Sequence, residues 1–485
     1  MARRSRRQFL EDSMLATAAA VATSSPAPLF GGADFVSRAP NEKLGVAVVG
    51  LRGRGGSHIG ALAGRKDTEV LYVCDVDADV GEKRRQEVAK RQGRAPRFER
   101  DLRRVLEDRR VDLVTIATPN HQHALQAIWA MQAGKDVYLE KPVSHNVSEG
   151  RRVVETARKY ERICQSGTQC RSNPGMIAAM RFLAEGGLGS VRLARGLCCV
   201  RRTPMGPRGE YPIPAQVDYD LWLGPAPLAA LTRRQFHYDW HWQWAYGNGE
   251  LGNQGVHQLD LARWALGQDR HCQSVLSYGG RFGPPDAGDA ANTQVVLFDF
   301  GERSLVFEVR GVPAEDTRGM RVGVIVDCAD GFLVLSSYDS STAFDRDGRQ
   351  IRHFQGSADH FANFLKAVRN RRACDLTADI EQGHLSSTLC HIANISYRLG
   401  EAAPQDELRD AVARFPTADD SLATLDRTLA HLASNQLEPE ADSVRLGAAL
   451  DFDPVSETFP GNDAANTLLS REYRAPFTLP IAADI

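Results

Sequence analysis

After its N-terminal segment the sequence has no apolar run near the ~20 residues needed to span a bilayer, so stable membrane insertion is not expected. It has no C-x-x-C pair and no His spacing for zinc. Its nine cysteines are an odd, scattered set, read as mostly buried apolar residues, and no metal centre is expected. Charge of one sign is not in excess: 59 Lys and Arg face 61 Asp and Glu, so no basic footprint points to nucleic acid. Internal repeats and long low-complexity segments are also missing. What remains is 485 residues, 42% hydrophobic and 25% charged, an ordinary globular composition with length for two or three domains.

The chain begins with arginines at 3, 4, 6 and 7, followed by an Ala-rich stretch from Met14 to Ala22. Ser5-Arg6-Arg7-Gln8-Phe9-Leu10 resembles the twin-arginine export signal, so residues 1–41 are read as signal and linker. Recognition by the twin-arginine export machinery and a periplasmic location are expected. The alternative is a basic, disordered tail.

Strand-like and helix-like patterns then alternate through residues 42–170, which predicts a parallel, doubly wound sheet. Lys43–Gly50 is an apolar run of strand length, followed by Gly50-Leu51-Arg52-Gly53-Arg54-Gly55-Gly56 and a helix expected to start near Ser57. Such a turn lets backbone N–H groups and a helix dipole face a pyrophosphate. In G-x-G-x-x-G the second Gly would fall at Arg52; Gly50 and Gly55 keep their places, and Gly53 allows a shifted path. The next strand ends in Asp75, an acceptor for both hydroxyls of an adenosine ribose that would repel a 2′-phosphate. NAD is therefore favoured over NADP. Two later loops, Ala117-Thr118-Pro119-Asn120-His121-Gln122-His123 and Leu139-Glu140-Lys141-Pro142, lie at strand ends, where ligands sit in such sheets. Read alone, Glu140-Lys141 is a solvated charge pair.

Taken together, the glycine turn, Ala117-Thr118-Pro119 and above all Glu140-Lys141-Pro142 resemble the Gfo/Idh/MocA family, over roughly residues 43–400. The resemblance implies a Rossmann-type nucleotide-binding domain plus an α+β domain with an open, mostly antiparallel sheet. It implies NAD held by Gly50, Arg52, Gly53, Gly55, Asp75, Thr118, Pro119, Asn120, His123, Glu140 and Lys141. It also places Lys141 beside the nicotinamide and the reacting hydroxyl. Residues 171–400 fit the second domain, with strand-like runs at 190–200, 273–281, 292–300, 304–310, 321–327 and 332–337 and a hairpin at Gly301-Glu302-Arg303.

In Gly252–Trp264 helical periodicity starts near Gln254, Asn253 is a good N-cap, and Asn253 and His257 share one face. The family pattern has an Asp four residues before a catalytic His. Here His257 matches and Asn253 replaces the acid. Asn253 can hydrogen-bond a sugar hydroxyl but lends no charge, so His257 loses the upward pKa shift a carboxylate would give. Residues 235–247 gather Trp240, Trp242 and Trp244 with His237 and His241. Indole faces stack on sugar C–H groups, which makes Trp240 and Trp242 candidate substrate contacts; core or subunit packing is the equal alternative. Arg171 is expected to line the pocket as well. Helices are expected at 359–369, 380–399 and 418–433, and the apolar residues of 453–480 within the extension 401–485 should dock on the body.

The resemblance implies hydride transfer at a secondary hydroxyl of a carbohydrate or polyol, with His257 as base and Lys141 stabilising the oxygen. Export adds a constraint: without a free nicotinamide pool the cofactor should be tightly held and reset within each turnover. A glycoside-cleaving cycle through transient C3 oxidation and a non-catalytic nucleotide and sugar sensor are the alternatives. An open sheet offers a face for a second copy, so a homo-oligomer is expected.

Overall fold

In a computed structural model the protein is described over residues 42–314, 316–437 and 444–481; the export-signal reading of 1–41 lies outside them. Six short strands, β1 (Leu44–Val49), β2 (Thr68–Cys74), β3 (Arg97–Glu99), β4 (Leu113–Ile116), β5 (Asp136–Leu139) and β6 (Cys164–Ser166), form an all-parallel sheet in the order 3-2-1-4-5-6. β1, β4 and β5 are buried throughout, as expected of strands covered on both faces. The helices of this domain are α1 (Gly53–Leu62), α2 (Ala78–Gln92), α3 (Leu102–Leu106), α4 (Asn120–Gln132) and α5 (Val147–Lys159). Asp77, Asp101 and Asn146 cap α2, α3 and α5 with their side chains. The order reverses between β1 and β4, and the crevice at that switch point is where a doubly wound sheet binds its ligand.

Two helix starts differ from the sequence reading. α1 begins at Gly53, inside the glycine turn, rather than near Ser57. α4 begins at Asn120, so the polar run 120–123 is a helical turn and not a loop. Its side chains are buried because another segment meets them: His121 Nε2 lies 2.9 Å from the Trp222 carbonyl, and Gln122 donates to the same oxygen at 2.8 Å.

The second domain is built on an eleven-stranded sheet. Its strands are β7 (Val191–Cys198), β8 (Ser274–Gly280), β9 (Thr293–Asp299), β10 (Ser304–Arg310), β11 (Val322–Cys328), β12 (Gly331–Leu335), β13 (Ser340–Asp345) and β14 (Gln350–Gln355), with two-residue additions β15 (Glu401–Ala402), β16 (Arg445–Leu446) and β17 (Leu450–Asp451). Among the described residues of this sheet only the β7–β10 strand pair is parallel. The hairpin at 301–303 joins β9 to β10 in antiparallel register, Ser304 opposite Asp299. β13 and β14 carry Ser, Thr, Gln and Arg and show no apolar alternation, which is why the sequence reading passed over them.

Around this sheet lie α6 (Pro174–Ala184), α7 (Tyr219–Leu223), α8 (Val256–Ala265), α9 (His360–Asn370), α10 (Ile380–Leu399), α11 (Gln405–Arg414), α12 (Ser421–Ser434) and α13 (Asp463–Thr467). One sheet face packs on α6, α8 and α10 in the largest core. The other face is covered over β7–β10 by α11 and α12, where Leu193, Leu276, Tyr278, Leu297 and Val306 meet Leu408, Val412, Leu425 and Leu432. α8 is preceded by a single π-turn, Leu251–Gly255, with helical backbone already at Glu250. Asn253 therefore lies inside the helical run and is not its cap. Eight cysteines are buried, Cys374 is exposed, and all nine are free thiols; Cys199 falls one residue beyond β7. No helix among the described residues is long and apolar enough to cross a membrane.

The C-terminal stretch is tied to both domains. Phe459 is 1% exposed, and Glu457 Oε1 accepts from His271 Nε2 and His384 Nε2 at 2.8 Å each and from Arg151 Nη2 at 2.5 Å. Burial acts against this carboxylate, but the two imidazole bonds and Arg151 outweigh it and hold the pKa far below the usual range. Glu457→Ala would leave these donors facing a void. We expect a loss of about 3 kcal/mol, read as a lower urea midpoint at unchanged slope, with partial recovery in Glu457→Gln.

Candidate functional site

A cleft of about 560 Å³ opens at the C-terminal ends of β1, β2, β4 and β5. Its floor is the glycine turn. Gly50 has φ +75°, and a Cβ there would sit 2.7 Å from the backbone of Ala117 and Thr118. At Gly55 a Cβ would lie 1.8 Å from the Gly50 carbonyl oxygen, so only glycine lets α1 start this close to β1. Arg52, where the common pattern has glycine, is extended at φ −83°; a side chain is tolerated and points partly into solvent, 3.9 Å from Asp77. Gly53, at φ +35°, opens the helix. α1 has neither a side-chain cap nor an acidic residue in its first turn, which leaves its positive end available to an anion.

Asp75 lies on the cleft wall and accepts from Leu51 N–H at 2.7 Å and Asp77 N–H at 3.0 Å. Burial pushes its pKa up to about 6, against the pull of these two bonds. Thr118, Pro119, Asn120 and His123 also line the cleft. His123, however, is a brace and not a free ligand. Its Nδ1 lies 2.6 Å from the Pro142 carbonyl and its Nε2 2.7 Å from that of Thr118, which ties the loops after β4 and β5 together. Asn120 likewise commits its amide N–H to Asn248 at 2.9 Å, and Thr118 its hydroxyl to Gln126 at 2.9 Å.

Glu140 is neither a solvated charge nor an open ligand. Its Oε1 is held by Arg54 at 2.7 Å, His58 at 3.1 Å and Gln169 at 3.3 Å. Burial is the largest influence and would raise its pKa, but the His58 bond and the charges of Arg54 and Lys141 hold it well below the carboxylate range. The neighbouring Lys141 is half-buried, and its ammonium donates to the backbone carbonyl of Asn253 at 2.5 Å. Burial pulls its pKa below the ordinary lysine value.

One helical turn beyond Asn253, His257 lines the same cleft. Its Nδ1 is buried without a hydrogen-bond partner, and its ring lies 5.0 Å from that of Tyr338. Burial first, then the charge of Lys141, drive its pKa well down, so the ring is neutral. The structure thus brings Lys141, Asn253 and His257 together across 116 residues of chain. The Asn253 side chain reaches Glu250 at 3.4 Å, and it is the backbone oxygen that engages Lys141.

The stretch 235–247 divides. Trp240 lines the cleft with Tyr238 and His241. Trp242 does not: it is buried in a separate cluster with Met205, Ala287 and Ala290, under the Arg202 guanidinium. Arg171 is also outside the cleft. The buried carboxylate of Asp260 captures it at 2.9 Å, and its guanidinium lies 5.0 Å from the Trp264 ring. The sequence reading missed Arg54, Gln169 and Tyr338, and left His241 without a role. His241 Nδ1 lies 2.6 Å from the Tyr238 carbonyl, and its ring stacks on Trp240 at 3.6 Å. Among the described residues one trio could hold a metal, His271, His384 and Glu457, but it lies outside the cleft and Arg151 already binds the carboxylate.

Residues 44–168 match the sequence model described as an oxidoreductase family with an NAD-binding Rossmann fold, and residues 207–291 the C-terminal alpha/beta domain of that family, Gfo/Idh/MocA. Levoglucosan dehydrogenase of Pseudarthrobacter phenanthrenivorans is 27% identical over 178 residues, 36% of this chain and 38% of that protein. Inositol 2-dehydrogenase of Rubrobacter xylanophilus is 33% identical over 161 residues, 33% of this chain and 45% of that one. The matched stretches span less than half of either relative. The crystal structure of the WlbA dehydrogenase from Bordetella pertussis, in complex with NADH and UDP-GlcNAcA, superposes over 72% of this chain and 94% of its own, with a TM-score of 0.53 at 19% identity. At that identity the likeness is one of fold. The family matches and the relatives support placement in Gfo/Idh/MocA.

The glycine cradle and Asp75 fit an adenine dinucleotide. As a carboxylate Asp75 would accept from both ribose hydroxyls, and on protonation it would lose its charge and one of its two acceptor oxygens; its folded pKa of about 6 lies above the ordinary 3.8. As pH falls through about 6 the group takes up a proton, so NAD affinity should drop. Asp75→Asn should bind about tenfold more weakly at pH 8 and lose that pH dependence, as titration calorimetry between pH 5 and 8 would show.

Proposed function

We propose that this protein is an NAD-dependent oxidoreductase that acts on a secondary hydroxyl of a sugar, polyol or glycoside and holds its cofactor tightly. The observation that carries this reading is the meeting of the Lys141 ammonium and the neutral His257 imidazole in one cleft with the glycine cradle. A nicotinamide bound there would supply the hydride acceptor; the chain's own groups orient the substrate and handle the proton. Lys141 has one N–H bound to Asn253 and the others left for the reacting oxygen, whose developing charge it stabilises. His257, neutral and with an unpartnered ring nitrogen, accepts the hydroxyl proton. Trp240 offers an apolar face to C–H groups. The names of the two relatives, an anhydrosugar and a cyclitol dehydrogenase, support a polyhydroxylated substrate. The arginine pair near the N-terminus supports export to the periplasm, and an exported chain favours a retained cofactor regenerated within the catalytic cycle. Asp75 favours NAD over NADP.

His241 supports a second reading. A carbonyl can only accept, so in the neutral ring Nδ1 carries the proton toward Tyr238 and Nε2 keeps its lone pair. A second base in the cleft suits a cycle in which oxidation acidifies a neighbouring C–H, a glycosidic bond is eliminated, water adds, and the ketone is reduced back.

Denaturing the purified protein should release NAD or NADH, identified by mass spectrometry; a supernatant free of nucleotide counts against the proposal. With a sugar and glycoside panel, nicotinamide absorbance should change in the unaltered chain. Lys141→Met and His257→Asn should each slow that change about 10²–10⁴-fold while retaining nucleotide. Aglycone release without net absorbance change, lost in His241→Gln, would select the second reading. Sugar binding with neither would mark a sensor.

A further inference from the structure

We propose that the C-terminal strap, residues 470–481, forms one wall of the purine end of the cleft through Phe477, and so governs how fast the dinucleotide leaves. This rests on the nucleotide reading above and extends it to a part of the chain that neither family match covers.

Phe477 is 4% exposed and lines the cleft beside Leu102, Gln126 and Trp129, on the side of Asp75 and Asp101. Its ring lies 6.2 Å from that of Trp129. The Arg103 guanidinium sits over both rings, at 5.4 and 5.9 Å, and that of Arg474 lies 4.9 Å from Phe477. An aromatic surface lining the cleft next to the carboxylate proposed to take a ribose has the chemistry of a heteroaromatic base site.

The strap is attached differently from the stretch before it. Residues 444–469 enter the cores: Phe459, Ala465 and Leu469 are buried, and β16 and β17 pair with β8. From 470 onward polar contacts dominate. Arg471 donates to the Ala245 and His121 carbonyls at 3.1 and 3.3 Å. Arg474 reaches the exposed Asp220 carboxylate at 2.6 Å, and the Asp220 and Gly224 carbonyls at 2.9 and 3.1 Å. Phe477 is buried and lies in the cleft wall, while the half-buried Leu479 packs on the core of the parallel sheet. A base bound there gains a wall; without one, the strap is held by Leu479, by Arg471 against the buried Glu149 and by Arg474 at the rim. Lifting the strap thus withdraws two apolar side chains, Phe477 and Leu479, and breaks the Arg471 and Arg474 contacts, while residues 444–469 stay in place, and the strap slows release while it is down.

The test uses the full chain, freed of nucleotide, with NADH, AMP and nicotinamide mononucleotide as probes. Phe477→Ala should weaken AMP and NADH about tenfold, speed NADH dissociation in stopped-flow fluorescence, and leave nicotinamide mononucleotide unchanged. Phe477→Tyr should restore both. Arg474→Gln, which keeps the ring but loosens its tether, should speed dissociation with an unchanged melting temperature. If Phe477→Ala binds AMP as the unaltered chain does, or loses all three probes alike, the inference falls and the nucleotide reading stands. If the unaltered chain takes up neither AMP nor NADH, that reading falls and takes the strap's role with it.

Discussion

The hydrogen bond from the Lys141 ammonium to the Asn253 carbonyl is the constraint on which the cleft depends. It joins the end of β5 to the π-turn ahead of α8, and with the Asn120–Asn248 and Val143–Ser387 bonds it sets where the two domains meet. A buried ammonium is costly unless opposite charge and hydrogen bonds surround it. Glu140 supplies the charge from the adjacent position, and is itself held by Arg54 and His58 of α1. The helix whose N-terminus forms the anion cradle therefore also positions the carboxylate that supports the ammonium. The cradle and the reactive end of the cleft are one mechanical unit.

Much of this was legible in residue order. Apolar runs separated by helical patterns gave the parallel sheet, and the spacing of Gly50 and Gly55 gave the cradle, because these depend on neighbours a few residues apart. Where the reading failed, a distant partner decided the outcome. The polar turn at 120–123 is helical because residues 222–246 bury it. Arg171 is withdrawn from the cleft by Asp260, and Trp242 by Met205, Ala287 and Ala290. Asn253 looks like a cap, but the helical backbone starts three residues earlier, and its contribution is a main-chain oxygen that any residue would supply. Phe477 carries no local sign of its position, more than 300 residues from Trp129.

The two imidazoles in the cleft illustrate how identical side chains acquire different roles. Both are neutral through burial. His241 has its tautomer set by a backbone carbonyl and its plane set by Trp240. His257 has no partner at its buried Nδ1, so no hydrogen bond there sets its tautomer. A fixed acceptor beside an adaptable one suits chemistry in which two protons move at different stages.

The helices α11 and α12 lie over the face of the large sheet that an open sheet would present to a second copy. On that face a buried ion network, Arg195 with Glu308 and Asp419, replaces what an interface would otherwise have to neutralise. Because cover and covered surface belong to one polypeptide, their association is unimolecular. Dilution cannot strip it away, and the part of the large sheet over β7–β10 stays shielded at protein concentrations where a weakly paired dimer would fall apart.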